Sequence, residues 1–250
     1  MKYFTLLGFC AGSFLFMSCS SNQFLVCGHR GAMGHETENT LASVGKAVEL
    51  KADMLEIDVF KIKSGELVVF HDNNLERLTG IKGKIEDFDF KELRELKVAG
   101  KHQIPTLQEV IEKIDKRAVL NIELKGEHTA VDTYKIIESY LKKGWKIKHF
   151  FISSFRVEEL QKMRNLNRSI AIGLLVHKDP IEKIIATGKE LQVQAINPNF
   201  KFLNAENVAI LKANNFKIFP WTVNNPEDIA QMKRLKVSGV ITDFPERSQK

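Results

Sequence analysis

Cysteine is scarce, with three in 250 residues. Cys10 lies within an apolar leader and Cys19 at its end, so Cys27 is the one thiol left for a folded domain. That excludes a disulfide framework, and the place of Cys27 in an apolar run marks it as buried and inert. Beyond the leader, no apolar run reaches the roughly 20 residues that span a bilayer. Blocks of lysine and arginine are missing, and no stripe mixes aromatic with basic side chains, so nucleic acid is not an expected partner. The net charge of +6 is carried by scattered lysines. It reads as a solvated basic surface, with a weaker pull towards anionic substrates or membrane surfaces. No low-complexity linker divides the chain, and no G-x-G-x-x-G turn follows its first strand. The first absence argues for one domain, and the second argues against an open dinucleotide-binding sheet.

The composition, 44% hydrophobic and 27% charged, is that of a soluble globular protein. Its core can be large enough to need neither disulfides nor structural metal. Residues 1–18 differ in character. Lys2 is their only charge, and residues 3–17 are apolar but short for a membrane span. This is a signal-peptide pattern, and Ser18-Cys19 resembles the lipobox of bacterial lipoproteins, with Phe16 where leucine is usual. The expectation is a cleaved leader of lipoprotein type (1–18), lipidation at Cys19, a short tether (19–23) and a folded domain over 24–250. The protein then belongs to the cell envelope, with the lipid anchor as its only membrane contact. Plain secretion and an uncleaved anchor are the alternatives.

From Phe24 onward, strand-like runs alternate with amphipathic helical segments. The runs are Phe24–Cys27, Met54–Phe60, Ala118–Leu124, His149–Ser153, Ser169–Val176, Ala195–Asn197, Lys217–Thr222 and Val240–Thr242. Helices are expected at Thr40–Leu50, Leu107–Ile114, Val131–Lys143, Val157–Asn165, Ile181–Leu191, Ala205–Ala213 and Pro226–Leu235. In "IEKIIATGKEL" the apolar residues recur at three- and four-residue steps. Eight strands in alternation with helices predict an α/β fold, a (β/α)8 TIM barrel. The spacing from strand two to strand three is about twice the usual, which predicts a small insertion: a hairpin turn at Ser64-Gly65, a returning strand Leu67–Phe70 and then a polar loop. Little chain remains after Asp243, so the last helix must be truncated.

The period of two in a strand puts Glu56 and Asp58 on one face, opposite Leu55, Ile57 and Val59. Glu123 and Lys125 repeat the device on the next strand, with Asn121 below them. Two acids facing a barrel interior need a cation or a proton. Three carboxylates with no cysteine suggest Mg²⁺ or Ca²⁺, and Lys125 reads as a phosphate-seeking charge beside them. His29 ends the first strand and His71 the returning strand, so both should reach the same mouth. Two imidazoles there can act as acid and base, or join the carboxylates around a transition metal. Trp221, at the end of the seventh strand, walls a substrate pocket or packs the rim. The other histidines, Asp243 and Asn197 receive no role.

The stretches "GHRGAMGHETENT", "LEIDVFKIKSGELVVFHDNNLERLTG", "IPTLQEV", "LNIELK", "SSF", "WTVNN" and "GVITDFP" together resemble the glycerophosphodiester phosphodiesterase family, in its order, from Leu25 to Pro245. The resemblance implies a (β/α)8 barrel that hydrolyses small-molecule glycerophosphodiesters to glycerol 3-phosphate and an alcohol, with one divalent cation. By motif, His29 and His71 match the family's acid–base pair. Glu56, Asp58 and Glu123 match its metal ligands, and Arg30 and Lys125 its phosphate contacts. Thr37 stands where the family usually has proline, which loosens the loop into the first helix. The flanking glycines of Gly28-His29-Arg30-Gly31 would let the backbone approach the phosphate. Rival readings are a lysophospholipase D or sphingomyelinase D activity, and a catalytically silent lipoprotein that binds phosphodiesters.

Overall fold

Leucine, isoleucine and valine runs pair side by side as parallel strands, each returned by a helix. The computed structural model describes residues 23–249. The expected signal peptide and Cys19 lie outside the described residues. The elements run β1 (Leu25–Gly28), α1 (Leu41–Glu49), β2 (Met54–Lys61), β3 (Leu67–Val69), α2 (Glu76–Thr79), α3 (Phe90–Glu95), α4 (Leu107–Ile114) and β4 (Val119–Leu124). Then come α5 (Ala130–Lys142), β5 (Phe150–Ser154), α6 (Val157–Leu166), β6 (Ala171–Val176), α7 (Ile181–Glu190) and β7 (Ala195–Pro198). The last are α8 (Ala205–Ala213), β8 (Lys217–Ile218), α9 (Pro226–Arg234) and β9 (Gly239–Thr242). A short 3-10 turn, Pro245–Ser248, stands where an eighth barrel helix would be.

The parallel strands follow the order β8-β7-β6-β5-β4-β2-β1-β9. The ring closes between its ends, where Ser238 N–H donates to Ile218 O (2.9 Å) and Ile241 N–H to Pro220 O (2.9 Å). This is the expected (β/α)8 barrel with its truncated last helix. The expected strand 217–222 shortens to two residues of ladder, because Pro220 has no N–H to donate. Trp221 resumes the pairing as an isolated parallel bridge to Asn199.

Alternation along each strand sorts the side chains. Leu55, Ile57 and Val59 on β2, with Leu120 and Ile122 on β4, face outward and are buried under the helices. Inward, Cys27, Met54, Phe151, Phe219 and Ile241 fill the lower barrel. Burial, with Glu56 and Asp53 nearby, pushes the Cys27 thiol well above its usual range, in keeping with an inert cysteine. Polar inward residues, Glu56, Asp58, Asn121, Glu123 and Ser153, come only above this plug, towards the C-terminal ends of the strands.

The insertion corrects one expectation. The hairpin and returning strand are present, with Gly65 at φ 102 and β3 antiparallel to β2. The segment after it is not a polar loop. It folds into α2, α3 and a 3-10 turn (Ile85–Asp87) around an apolar cluster that includes Phe60, Phe70, Leu75, Ile85, Leu93 and Ile104. These residues are spaced without helical or strand period, so their common burial becomes visible only when the segment doubles back.

This cluster fixes the base on which His71 stands. Ile85→Ala should destabilise the protein by about 2–5 kcal/mol, the usual cost of emptying a buried isoleucine site. Ile81→Ala, at an exposed position, should change stability by less than about 0.5 kcal/mol. Equilibrium urea unfolding of both variants checks this, and equal effects would show that the cluster adds no stability.

Candidate active site

The turn after β1 is built by short-range packing. Arg30 adopts φ 49 and Gly31 φ 84. A Cβ on Gly31 would collide with Ser43 of α1, and one on Gly28 with the carbonyl oxygen of Gly31. These glycines serve the close fit of the turn against itself and α1. Ser43 reinforces the turn by donating from its hydroxyl to Arg30 O and accepting from Ala32 N–H (3.0 Å). Thr40 caps α1 by accepting from Ser43 N–H.

Asp58 and Glu123 are direct register partners on β2 and β4, and Glu56 lies one inward layer below. Oxygens of Glu56, Asp58 and Glu123 lie within 4.8 Å of one another, and all three residues are buried. Burial first, and then the Asp58 and Glu123 charges, push the Glu56 carboxyl well above its usual range. Burial and Asp58 push Glu123 up to about 7, against the pull of Lys125. Asp58 meets the same burial penalty, but Lys125, His71, Arg30 and a hydrogen bond from Asn39 outweigh it and hold this carboxyl below its usual value. Glu56 Oε1 is buried without a hydrogen-bond partner. Three converging carboxylates, one with an unclaimed buried oxygen, suit a divalent cation. Neither histidine belongs to this cluster, so the mixed histidine–carboxylate site is not formed among the described residues.

Cations and amides border the acids. Lys125 Nζ lies 3.0 Å from Glu123 and 3.4 Å from Asp58. Arg30 N–H donates to Glu56 Oε2 (2.8 Å), while its Nε is buried without a hydrogen bond, 3.7 Å from Asp58. The Thr37–Thr40 loop explains itself residue by residue: Glu38 accepts from Arg30 Nη1 (2.6 Å), and Asn39 donates to Asp58 Oδ2 (2.9 Å). The substitution of proline by Thr37 leaves both contacts in place.

Each histidine is oriented by its own carboxylate. His29 Nδ1 donates to Asp243 Oδ1 (2.7 Å), and Asp243 is held by Asn224 Nδ2 (2.6 Å). His71 Nδ1 donates to Asp72 Oδ1 (2.6 Å), and its Nε2 accepts from Lys125 Nζ (3.0 Å). Burial lowers the His71 pKa, with Lys125 and Arg30 adding to it and Asp58 and Asp72 opposing. Arg77 of α2 ties the insertion to the barrel loop, since it donates both to Asp72 and to Glu38 (2.8 Å). Asp72 and Asp243 were both within quoted motifs, but only the fold shows that each grips a histidine.

His29, Arg30, His71, Lys125 and the three acids line one side of a cavity of about 280 Å³. Trp221 stands on the other side, where it lines the cavity and also packs against the apolar plug, with Nε1 donating to Asn197 O (2.8 Å). Phe155 and His177 join it, stacked at 4.6 Å between centroids and each edge-on to Trp221. The sequence reading set His177 aside as a bystander. The chamber is thus charged on one side and aromatic on the other, a fit for a phosphodiester with its carbon skeleton.

The model of the glycerophosphoryl diester phosphodiesterase family matches residues 29–247. A glycerophosphodiester phosphodiesterase of Caldanaerobacter subterraneus is 37% identical over 235 residues, covering 89% of this chain and 95% of that protein. A human lysophospholipase D is 27% identical, covering 87% and 82% of the two chains. Among solved structures, an Oleispira antarctica phosphodiesterase in complex with the product sn-glycerol-3-phosphate superposes with a TM-score of 0.83 at 30% identity, covering 90% of this chain and 95% of that one. With the barrel, the motifs in order and this match over nearly the whole described chain, the protein belongs to the glycerophosphoryl diester phosphodiesterase family.

Proposed function

We propose that this phosphodiesterase hydrolyses glycerophosphodiesters to glycerol 3-phosphate and an alcohol, using Mg²⁺ or Ca²⁺ held by Glu56, Asp58 and Glu123. The observation that carries the reading is the pair of carboxylate-oriented histidines, His29 and His71, beside three buried acids in one chamber. A cation bound there supplies charge neutralisation at the phosphate and favours the anionic form of an attacking oxygen. Arg30 and Lys125 bind the phosphate oxygens. One histidine takes the proton of the nucleophile, water or the substrate's own glycerol hydroxyl, and the other protonates the leaving alkoxide as its bond to phosphorus breaks. Attack by the glycerol hydroxyl gives a cyclic phosphate that water then opens to glycerol 3-phosphate. Trp221, Phe155 and His177 flank the carbon skeleton. The family match and the relative at 37% identity, both named for glycerophosphodiesters, favour this reading over a lysophospholipase D or sphingomyelinase D activity. Lipidation at Cys19 and residence in the cell envelope belong to the same proposal and rest on the leader pattern.

Each of His29→Ala and His71→Ala should lower kcat by about 10²-fold or more, the usual size of an acid–base contribution. The losses should not add in the double variant, because both residues serve one proton-transfer cycle. A diester with a good leaving group should restore rate to the variant lacking the acid and not to the other. Near wild-type turnover of a natural glycerophosphodiester by both variants would overturn the two-histidine mechanism.

Metal should act on both turnover and stability. Chelation should abolish activity, and Mg²⁺ or Ca²⁺ should restore it. Burial pushes the Glu123 carboxyl up to about 7 and raises Glu56 as well, so between the unfolded and folded values the folded chain holds more protons than the unfolded chain. That stabilisation is complete at low pH and is lost as pH rises through the folded values. Added cation should therefore raise Tm more at about pH 8 than at about pH 5.5. Calorimetry at the two values checks this, and a pH-independent increment would contradict it.

Cys19→Ala should abolish incorporation of labelled fatty acid and release the protein from the membrane fraction. Unchanged labelling would refute lipidation at this residue.

A further inference from the structure

The lysines that look scattered in the sequence are gathered by the barrel. Every helix-to-strand loop of a (β/α)8 barrel opens on the face opposite the catalytic mouth. In this chain those loops carry exposed cations: Lys51 before β2, Lys116 and Arg117 before β4, and Lys143, Lys146 and Lys148 before β5. Arg168 precedes β6, Lys217 opens β8, and Lys236 precedes β9, all exposed. Asp53 and Asp115 are the only carboxylates in the same loops, and Asp53 is engaged by Val26 N–H. Among the described residues, none of these loop cations forms an ion pair. Lys116 and Lys143 instead rest over the rings of Trp145 and Tyr140.

Helix dipoles explain part of this. Lys142, Lys189, Lys212 and Arg234 sit in the last turns of their helices, where a cation is favoured, and Glu49 and Glu190 share that level. The dipole effect falls off within one turn, so it does not account for Lys146, Lys148 or Lys217. The loops at the catalytic mouth mix both signs, with Glu127, Asp179 and Asp243 beside Arg30, Lys178 and Lys201.

The chain also enters the domain at this basic face. Leu25 N–H donates to Ser238 O (3.0 Å), which places the start of β1 beside the loop that holds Lys236. The apolar residues 3–17 lie shortly upstream in the sequence. We propose that the basic N-terminal face of the barrel docks on an anionic phospholipid surface, turning the catalytic mouth away from the bilayer towards soluble diesters. Of the rings at this end, Tyr140, Trp145, Phe150 and Phe216 are buried and Phe24 and His149 half-buried, so none stands exposed to stack a nucleic-acid base. Docking itself does not depend on the proposed reaction.

Full-length protein is mixed with phosphatidylcholine vesicles, with and without phosphatidylglycerol, and sedimented. Lys2 gives the leader a charge of its own, so the share of the basic face is read from the difference between the wild type and the variant below, which carry the same leader. A Lys or Arg near an anionic leaflet contributes a factor of about five. The anionic vesicles should therefore bind at least about tenfold more tightly at low salt, and the excess should vanish at high salt. The variant Lys143→Gln/Lys146→Gln/Lys148→Gln/Lys217→Gln should lose most of the excess while turning over soluble diester at the wild-type rate. On anionic vesicles, amide exchange should slow in residues 143–149 and 235–238. Equal binding to both vesicle types, slowing confined to the mouth loops, or preferential binding of RNA over anionic vesicles would each overturn the proposal.

Discussion

Glu56, Asp58 and Glu123 are forced together at the mouth of a barrel that would otherwise be apolar, and most of the site answers that constraint. Three carboxylates cannot all be charged in one buried space without compensation. Lys125 and Arg30 bring positive charge to its rim, and Asn39 adds a neutral donor to Asp58. The compensation is uneven. Asp58 collects most of it and stays acidic, while Glu56 and Glu123 remain raised. A divalent cation held there would supply the positive charge that the side chains alone do not.

The compensating groups must themselves be held. Glu38 accepts from both Arg30 and Arg77, and Arg77 also holds Asp72, which orients His71. One buried carboxylate in the loop before α1 therefore links Arg30 at the mouth to a histidine carried by the insertion. That histidine reaches the mouth because β3 runs back along β2, and Phe70 N–H donates to Asp58 O (3.1 Å). The apolar cluster under α2 and α3 supports that strand. The insertion is thus a structural member of the site and not an ornament on the barrel. His29 is secured independently from the far end of the chain, through Asp243 and Asn224.

The barrel also separates charge along its axis. Carboxylates and histidines converge above the apolar plug, and exposed loop lysines spread over the opposite end. The parallel topology produces the separation, since all strand ends face one way and all helix ends the other.

Periodicity alone determined a good deal. Alternation of two put Glu56 with Asp58 and Leu55 with Ile57 on opposite faces, because strand geometry leaves no other choice. Helical spacing located Leu107–Ile114 to the residue, since its apolar stripe and its cap at Thr106 are local, whereas Ala205–Ala213 has a local cap at Asn204 but no apolar stripe. The motifs carried the histidines, acids and basic contacts as a set. Contacts between distant parts of the chain were decided by the fold: the grip of Asp243 on His29 joins residues 214 positions apart, and Phe155 meets His177 across the loops after β5 and β6. The insertion core has no period to read, because its residues share a centre without sharing an element. The basic face is equally hidden, for lysines tens of residues apart become neighbours only when the strands close into a ring.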